Sequence, residues 1–374
     1  MLAINRIALV SFHFAEYIVN LALALSEKAN VLLILYQDNV NDELGADWLN
    51  KTQKPGLEIV ILTRPRRSVR STIKNANQLI KAIQQFAPDV IHYQEGPQDS
   101  LMLSLPFLTK IPSLLTIHDP KPHSGQDAKE LSRFTFFRMI MRRTVDVAIT
   151  HGNIMATELT NMYPRLGNKV WSIAHGPLGA GFDGTVALRP EGCRLLFFGR
   201  IHAYKGLVYF IESVITLRDK GYPVIGVVAG QGTDLEPHRQ RMTDAGCFEI
   251  IDKYIAAEDI PGLFLDSLIT VLPYTDGTQS GVAAMALSFG RPVVASEVGS
   301  IPELVRAGIN GLLVPPRDTD QLTLALESII TDNTLWQDLA NGALSLKYGE
   351  LSWRAIADQT LLAYEAAMQI KSAA

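Results

Sequence analysis

The chain of 374 residues has two cysteines, Cys193 and Cys247, which stand far apart. Such a pair excludes a disulfide scaffold and argues against a zinc site. Charge of one sign is not in excess. The 34 Lys and Arg against 38 Asp and Glu leave a net charge of −4, which gives no global pointer to nucleic acid. Long apolar runs are missing too, and none approaches the roughly 20 residues of a membrane span. Low-complexity segments and short-period repeats are absent. The opening stretch Met1 to Val10 reads as a short strand with a single Arg6 rather than as a secretory signal, so a cytoplasmic protein is expected. With 47% of its residues apolar, the chain can bury substantial cores, and its length favours two domains.

Hydrophobic patterning gives alternating strands and helices. Apolar runs at Arg6 to Ser11, Val31 to Tyr36, Glu58 to Thr63, Pro88 to His92, Ser113 to His118, Val145 to Thr150 and Lys169 to Ile173 read as strands. Helical periodicity fills Phe14 to Lys28, Ser71 to Phe86, Leu131 to Arg143 and Asn153 to Met162. The stretch His175 to Gly192 is rich in glycine and proline, lacks periodicity and reads as a linker. The alternation then restarts, with strands at Arg194 to Phe198, Pro223 to Ala229, Cys247 to Ile250, Ser267 to Leu272, Pro292 to Ala295 and Gly311 to Val314. Helices fill Tyr204 to Asp219, Asp234 to Ala245, Ala256 to Phe264, Ser280 to Phe289, Asp318 to Ile330, Trp336 to Tyr348 and Ser352 to Ile370. Strands alternating with helices predict an α/β fold with mostly parallel sheets.

The chemistry concentrates in the second half. After the buried run Leu195 to Phe198, Gly199 breaks the strand, Arg200 follows, and Lys205 comes just before Gly206. Two cations at the carboxyl end of a buried strand suggest an anion site. Arg offers a planar fork and Lys a point charge. On spacing alone, two solvated loop cations would look the same. The sequence VVAGQG at Val227 to Gly232 half matches a dinucleotide fingerprint, but Leu235 stands at the third glycine position, and a tight turn beside an anion site explains Gly230 as well. In YTDGTQSGVAAMALSFGRP, Tyr274 to Pro292, Ser280 reads as a helix N-cap and Gly281 lets the backbone approach a ligand. A helix start there offers N–H groups to an anion. Taken alone, an ordinary capped core helix explains it.

These segments, FGRIHAYKGL, VVAGQG, VLPY, SGVAAMALSFGRPVVASEVGSIPELV and NGLLVPP, run over Leu195 to Pro316 in an order that resembles the donor domain of the family-4 glycosyltransferases. The first half resembles the same family more loosely, through PDVIH, TIHD, DVAITHG and VWSIAHG. The resemblance implies the GT-B fold, with two Rossmann-like domains facing each other across a cleft. The first would span residues 1–178, completed by a C-terminal helix at about 352–374 that crosses back onto it, and the second 179–351. It implies a retaining transferase for a nucleotide sugar. Arg200 and Lys205 become the diphosphate clamp and His118 the cleft histidine near the donor sugar, although a satisfied strand-end histidine is the plainer alternative. Gly199, Gly230, Gln279, Ser280, Gly281 and Val282 become donor contacts, and Gly299, Ser300 and Glu303 border the cleft.

One departure stands out. Family members usually carry two glutamates eight positions apart, and here Gly277 and Met285 occupy those places, with Asp276 one residue off register. Thr278-Gln279-Ser280-Gly281 stands there instead, resembling a sub-branch with TQSG. Gln279, Ser280 and Gly281 are therefore expected to contact the diphosphate, with Met285 facing a pocket shaped without a carboxylate. His13, Glu16 and Glu95 are acceptor-side candidates at predicted strand tips, and the first loop, Ser11 to Glu16, lacks the glycines common in relatives. The clusters Arg64, Arg66, Arg67, Arg70 and Arg133, Arg138, Arg142, Arg143 suggest an anionic membrane surface, or simply half-buried helices with solvated cations. No metal and no cofactor is expected, and the partners are a nucleotide sugar and a sugar or lipid-linked acceptor. The expected role is cell-surface polysaccharide or glycolipid synthesis at the inner membrane face. A nucleotide-sugar epimerase of the same fold and a non-catalytic nucleotide-binding partner subunit are the alternatives.

Overall fold

A computed structural model describes residues 4–44, 48–65, 68–96, 98–120, 131–179 and 187–373, with the side chains of residues 51 and 131–134 outside the description. Arg66, Arg67 and the Arg133 side chain lie outside the described residues, as does the middle of the glycine-rich linker. Among the described residues the chain forms two compact units. One is built from the chain up to Pro120, the stretch ending at Ala174 and the segment from Trp353 onward; the other is His175–Ser352.

The strands are short runs buried on both faces, as parallel sheets covered by helices require. The first unit holds β1 (Arg6–Val10), β2 (Asn30–Tyr36), β3 (Leu57–Leu62), β4 (Val90–Gln94), β5 (Ser113–Ile117), β6 (Val147–Thr150) and β7 (Val170–Ser172). They pair in parallel in the order β3-β2-β1-β4-β5-β6-β7. The second unit holds β8 (Cys193–Phe198), β9 (Val224–Ala229), β10 (Phe248–Ile251), β11 (Ile269–Leu272), β12 (Val293–Ser296) and β13 (Gly311–Val314), also parallel, in the order β10-β9-β8-β11-β12-β13. Strand order reverses between β1 and β4 in one sheet and between β8 and β11 in the other. Ligands of open α/β sheets bind at such points, outside the carboxyl ends of the strands.

The helix Trp353–Ser372 closes the first unit. Its Tyr364 hydroxyl lies 2.9 Å from His92 Nδ1, and the Thr116 hydroxyl lies 2.7 Å from His92 Nε2. Burial pushes His92 down to a pKa of about 3, so the ring is neutral and its two polar contacts are both inside the core. Ion pairs Lys28–Asp358 and Lys371–Asp146 hold the helix at its edges.

Several elements differ from their sequence patterns. The helix read from Tyr204 to Asp219 is two pieces, a 3-10 turn Ala203–Lys205 and the helix Leu207–Asp219, divided by Gly206 at φ 72°. The helix read from Ala256 begins only at Ile260, where Pro261 takes a first-turn position that needs no N–H. The helix Asp99–Leu108 has no counterpart in the sequence reading; Pro106 inside it masks the pattern.

Gly206 is fixed by two constraints at once. Its backbone is left-handed, and a Cβ would stand 2.0 Å from the Pro273 carbonyl oxygen. Gly206→Ala is therefore expected to cost roughly 1–3 kcal/mol in backbone strain, with the clash adding to it. A thermal unfolding midpoint equal to that of the wild type would show that the turn after β8 relaxes freely.

Candidate active site

In the second unit the β8 exit carries the two cations. Arg200 is exposed and Lys205 is 8% exposed. Gly199 has φ 99°, and a Cβ there would come 3.0 Å from Lys205 Nζ and 3.5 Å from the Val282 side chain. The ammonium lies 5.5 Å from the Tyr274 ring centroid. Burial, with the Arg200 charge adding to it, pulls the Lys205 pKa down to about 7. Among the described residues no carboxylate pairs with it.

The Gly-x-Gly after β9 has a packing reason. A Cβ on Gly230 would stand 2.1 Å from the Gly199 carbonyl oxygen, and one on Gly232 would stand 1.9 Å from that of Ile201. These glycines let two strand exits lie against each other. The β11 exit is tied in from the other side, where Thr275 N donates to the Tyr204 carbonyl at 2.7 Å. Gly299, φ 52°, closes the turn from the β12 side, since its Cβ would lie 2.1 Å from the Gly277 carbonyl oxygen. Ser300 N donates to the Thr278 carbonyl at 2.8 Å, and Glu303 lies on the short helix Ile301–Leu304 that follows.

Ser280 caps the helix Gly281–Ser288, its Oγ accepting from Ala283 N at 3.2 Å, and it also bonds the Tyr274 hydroxyl. The hydroxyl thus has a structural role in the helix cap beside the phosphate contact expected of it. What the helix start offers is its backbone N–H groups at Gly281 and Val282. Gln279 brings an amide whose Oε1 is buried without a hydrogen-bond partner among the described residues. Met285 is 9% exposed and packs in the apolar cluster with Phe264 and Phe289.

In the first unit a cavity of about 430 Å³ opens where strand order reverses. His13 and Phe14 line it from the β1 exit, Glu95 and Gln98 from the β4 exit, and His118 from the β5 exit, with Arg64 and Arg138 also on its wall. His118 is 3% exposed. Its ring stacks on Phe14 at 3.8 Å between centroids and meets the edge of Tyr17 at 5.4 Å and His151 at 4.8 Å. Its Nε2 lies 2.8 Å from Gln94 Oε1. Burial, with Arg64 second, lowers the His13 pKa and keeps that ring neutral.

Phe14 holds its stacking position through a left-handed backbone, φ 56°. The Glu43 carboxylate secures it, accepting from Ala15 N at 2.6 Å and Phe14 N at 3.2 Å. Burial raises the Glu43 pKa to about 7 against those backbone bonds. Glu16 lies in the first turn of the same helix, Ala15–Leu25, and does not line the cavity; its charge adds to the rise at Glu43. Glu95 is not a free carboxylate. Arg142 grips it with Nε and Nη2 at 2.7 and 2.8 Å and also donates to the Pro120 and Asp119 carbonyls at 3.0 and 3.2 Å. Arg142 is 2% exposed, so the expected membrane-facing cation is an internal strut. Gln94, Glu43 and Arg142 carried no motif. Each acts on a partner at least 22 residues away, beyond the reach of local spacing.

Residues 15–176 match the family described as Glycosyltransferase Family 4, and residues 192–332 match that described as Glycosyl transferases group 1. The chain belongs to the family-4 glycosyltransferases, and its two parallel-sheet units form the GT-B fold. It is 30% identical over 174 residues to an alpha-D-kanosaminyltransferase of Streptomyces kanamyceticus, covering 44% of this chain and 43% of that protein. It is 24% identical over 196 residues to a glycosyltransferase of Methanocaldococcus jannaschii, covering 50% of this chain and 49% of the relative. The chain thus spans about half the length of these relatives. A glycogen synthase of Mycobacterium tuberculosis is 26% identical over 75% of this chain and 70% of its own. Among solved structures, a sucrose-phosphate synthase from Thermosynechococcus elongatus superposes with a TM-score of 0.71 at 17% identity, covering 99% of this chain and 100% of that one.

Lys205 makes a two-sided prediction. Its folded pKa lies below the ordinary lysine value, so the unfolded chain binds more protons between about pH 7 and that value. Stability from this group is present above the ordinary value and lost as pH falls through about 7. Lys205→Met should therefore raise the unfolding midpoint at pH 7 while weakening UDP or ADP binding by about tenfold or more. At pH 8, where the diphosphate is already ionised, calorimetry in buffers of different ionisation enthalpy should show proton uptake on binding, lost in Lys205→Met. A variant that is less stable and binds nucleotide unchanged would make Lys205 a packing residue.

Proposed function

We propose that the chain moves a sugar from a nucleoside-diphosphate sugar to a sugar or lipid-linked acceptor, with retention of configuration and without a metal. The observation that carries this reading is Lys205, buried at the β8 exit beside Gly199 and Val282 with no carboxylate partner among the described residues, in the sheet whose neighbouring β11 exit leads into the helix at Gly281. The name of a structural neighbour supports it: the Anabaena protein HepE, TM-score 0.69 at 16% identity over 96% of this chain and 98% of its own, was solved with UDP and glucose. Relatives named D-inositol 3-phosphate glycosyltransferase add a small polar acceptor as a precedent.

As the anomeric carbon–oxygen bond breaks, its electron pair leaves with the diphosphate. Arg200, Lys205 and the N–H groups at Gly281 and Val282 stabilise that growing charge, already oriented for it. The sugar acquires oxocarbenium character. The acceptor oxygen bonds the anomeric carbon from the face the diphosphate leaves, and the acceptor proton passes to a leaving phosphate oxygen. No protein base is then required.

We place the work in cell-surface polysaccharide or glycolipid synthesis. Among the described residues no helix is long and apolar enough to cross a membrane. With Arg142 internal, a peripheral membrane contact rests on the helix Val69–Phe86, where Arg70, Lys74 and Lys81 share a surface with Ile73, 47% exposed. Each cation near an anionic surface contributes about 1 kcal/mol. Changing the three to Ser should lower co-sedimentation with anionic vesicles and leave neutral vesicles unaffected. Equal recovery of both proteins would remove the membrane from the reading.

A panel of nucleotide sugars tests the activity itself. One donor should give slow nucleotide release that survives EDTA and is lost in Arg200→Ala. Sugar isomerisation without release would make the chain an epimerase, and silence with every donor would leave a nucleotide-binding partner. Loss with EDTA and recovery with magnesium or manganese would overturn the metal-free reaction.

A further inference from the structure

Gln94 is a buried polar residue of the first unit that the reaction above does not use. It ends β4, is 2% exposed, and sits beside Thr116 of β5. Its Oε1 lies 2.8 Å from His118 Nε2, while its own Nε2 is buried without a hydrogen-bond partner among the described residues. Stranding one end of a buried amide is costly, and methionine would fill the same space without that cost. The value of the residue therefore lies at its other end. An amide oxygen has no proton to give, so its bond to His118 exists only when the imidazole carries a proton on Nε2.

Aromatic neighbours fix the plane of the ring. Phe14 stacks on one face, and Tyr17 and His151 pack against it. Next along the chain, Glu95 does a parallel task on the backbone: through Arg142 it holds the carbonyls of Asp119 and Pro120. Two consecutive residues at the β4 tip thus secure three consecutive residues after β5, one side chain and two carbonyls.

We propose that Gln94 is the positioning residue of this site, fixing His118 as the Nε2–H tautomer so that Nδ1 is the unprotonated nitrogen. The inference rests on the transferase reading for His118 as the cleft histidine near the donor sugar, where Nδ1 accepts a hydrogen bond rather than acting as a base, but its core claim is about protonation and is read without turnover.

The test is nitrogen NMR on the full chain labelled with 15N-histidine. Its eight histidines give eight ring patterns, and His118→Gln assigns the one in question. Wild type near pH 7.5 should show the His118 proton on Nε2. Gln94→Met should unfold no earlier than wild type, show both tautomers at His118, and lower kcat about tenfold or more, as loss of a fixed tautomer does elsewhere, with donor KM within about twofold. Gln94→Glu keeps an oxygen acceptor and adds a charge, which favours the imidazolium. It should keep Nε2–H and move the His118 pKa, and the acid limb of the pH–rate profile, up by about a unit or more. Tyr17 and His151 against the ring, and His13, Arg64, Glu95, Asp119 and Arg138 on the cavity wall, are the same in both variants, so the shift reports position 94. A wild-type proton on Nδ1, or an unchanged tautomer in Gln94→Met, overturns the proposal. If Gln94→Met does not fold, an unmoved His118 pKa in Gln94→Glu overturns it. A wild type that releases nucleotide from no donor sinks the transferase reading, and the tautomer spectrum still decides this one.

Discussion

Parallel strands impose the constraint on which the rest of this molecule depends. Every strand of a sheet runs the same way, so every carboxyl end opens on the same edge. Where the strand order reverses, the adjoining connections leave in opposite directions and a crevice is left between them. In the second unit this puts the β8 and β11 exits side by side, which is why Tyr204 and Thr275, far apart in sequence, share a backbone hydrogen bond. In the first it puts the β1 and β4 exits side by side, with the cavity above them. In the second unit the glycines 230, 232 and 299 allow backbones to crowd where a Cβ would collide.

Two buried cations show how differently such an edge can treat charge. Arg142 has four hydrogen bonds to a carboxylate and two carbonyls, and its pKa is raised. Removing a partner from a pair of this kind costs about 3–5 kcal/mol, and the pair holds the loop after β5 in place. Lys205 is as deeply set but has the Tyr274 ring and no carboxylate, and its charge is unstable at neutral pH. A cation with every bond satisfied is architecture. One left short of partners gains most from an incoming anion.

The alternation of elements and the two sheets were legible in the sequence because buried parallel strands are short apolar runs, and nearly every run from Arg6 to Val314 became a strand. Arg200, Lys205 and the Ser280 cap were legible because each stands at a strand exit or a helix start. The rest was not, for physical reasons. Whether an arginine faces solvent or a buried glutamate depends on packing across elements, so Arg142 and Arg143, adjacent in sequence, have opposite fates. That Met285 packs with Phe264 and Phe289 was not legible either, because a helix start gives no sign of which side meets the core. Phe14 in a left-handed conformation runs against local preference, and Glu43, which helps to hold it there, lies 28 positions from Ala15.

That carboxylate changes what the first unit can accept. The start of the helix Ala15–Leu25 has the orphan N–H groups that elsewhere draw phosphate, and here the chain brings its own counterion to them. A guest anion must evict Glu43 before it can use those groups, and evicting it releases the Phe14 ring that lies on His118. The two units therefore differ in kind: one keeps its helix start open to visitors, and the other is corked from within, so that a phosphate choosing between them meets a competitor in only one.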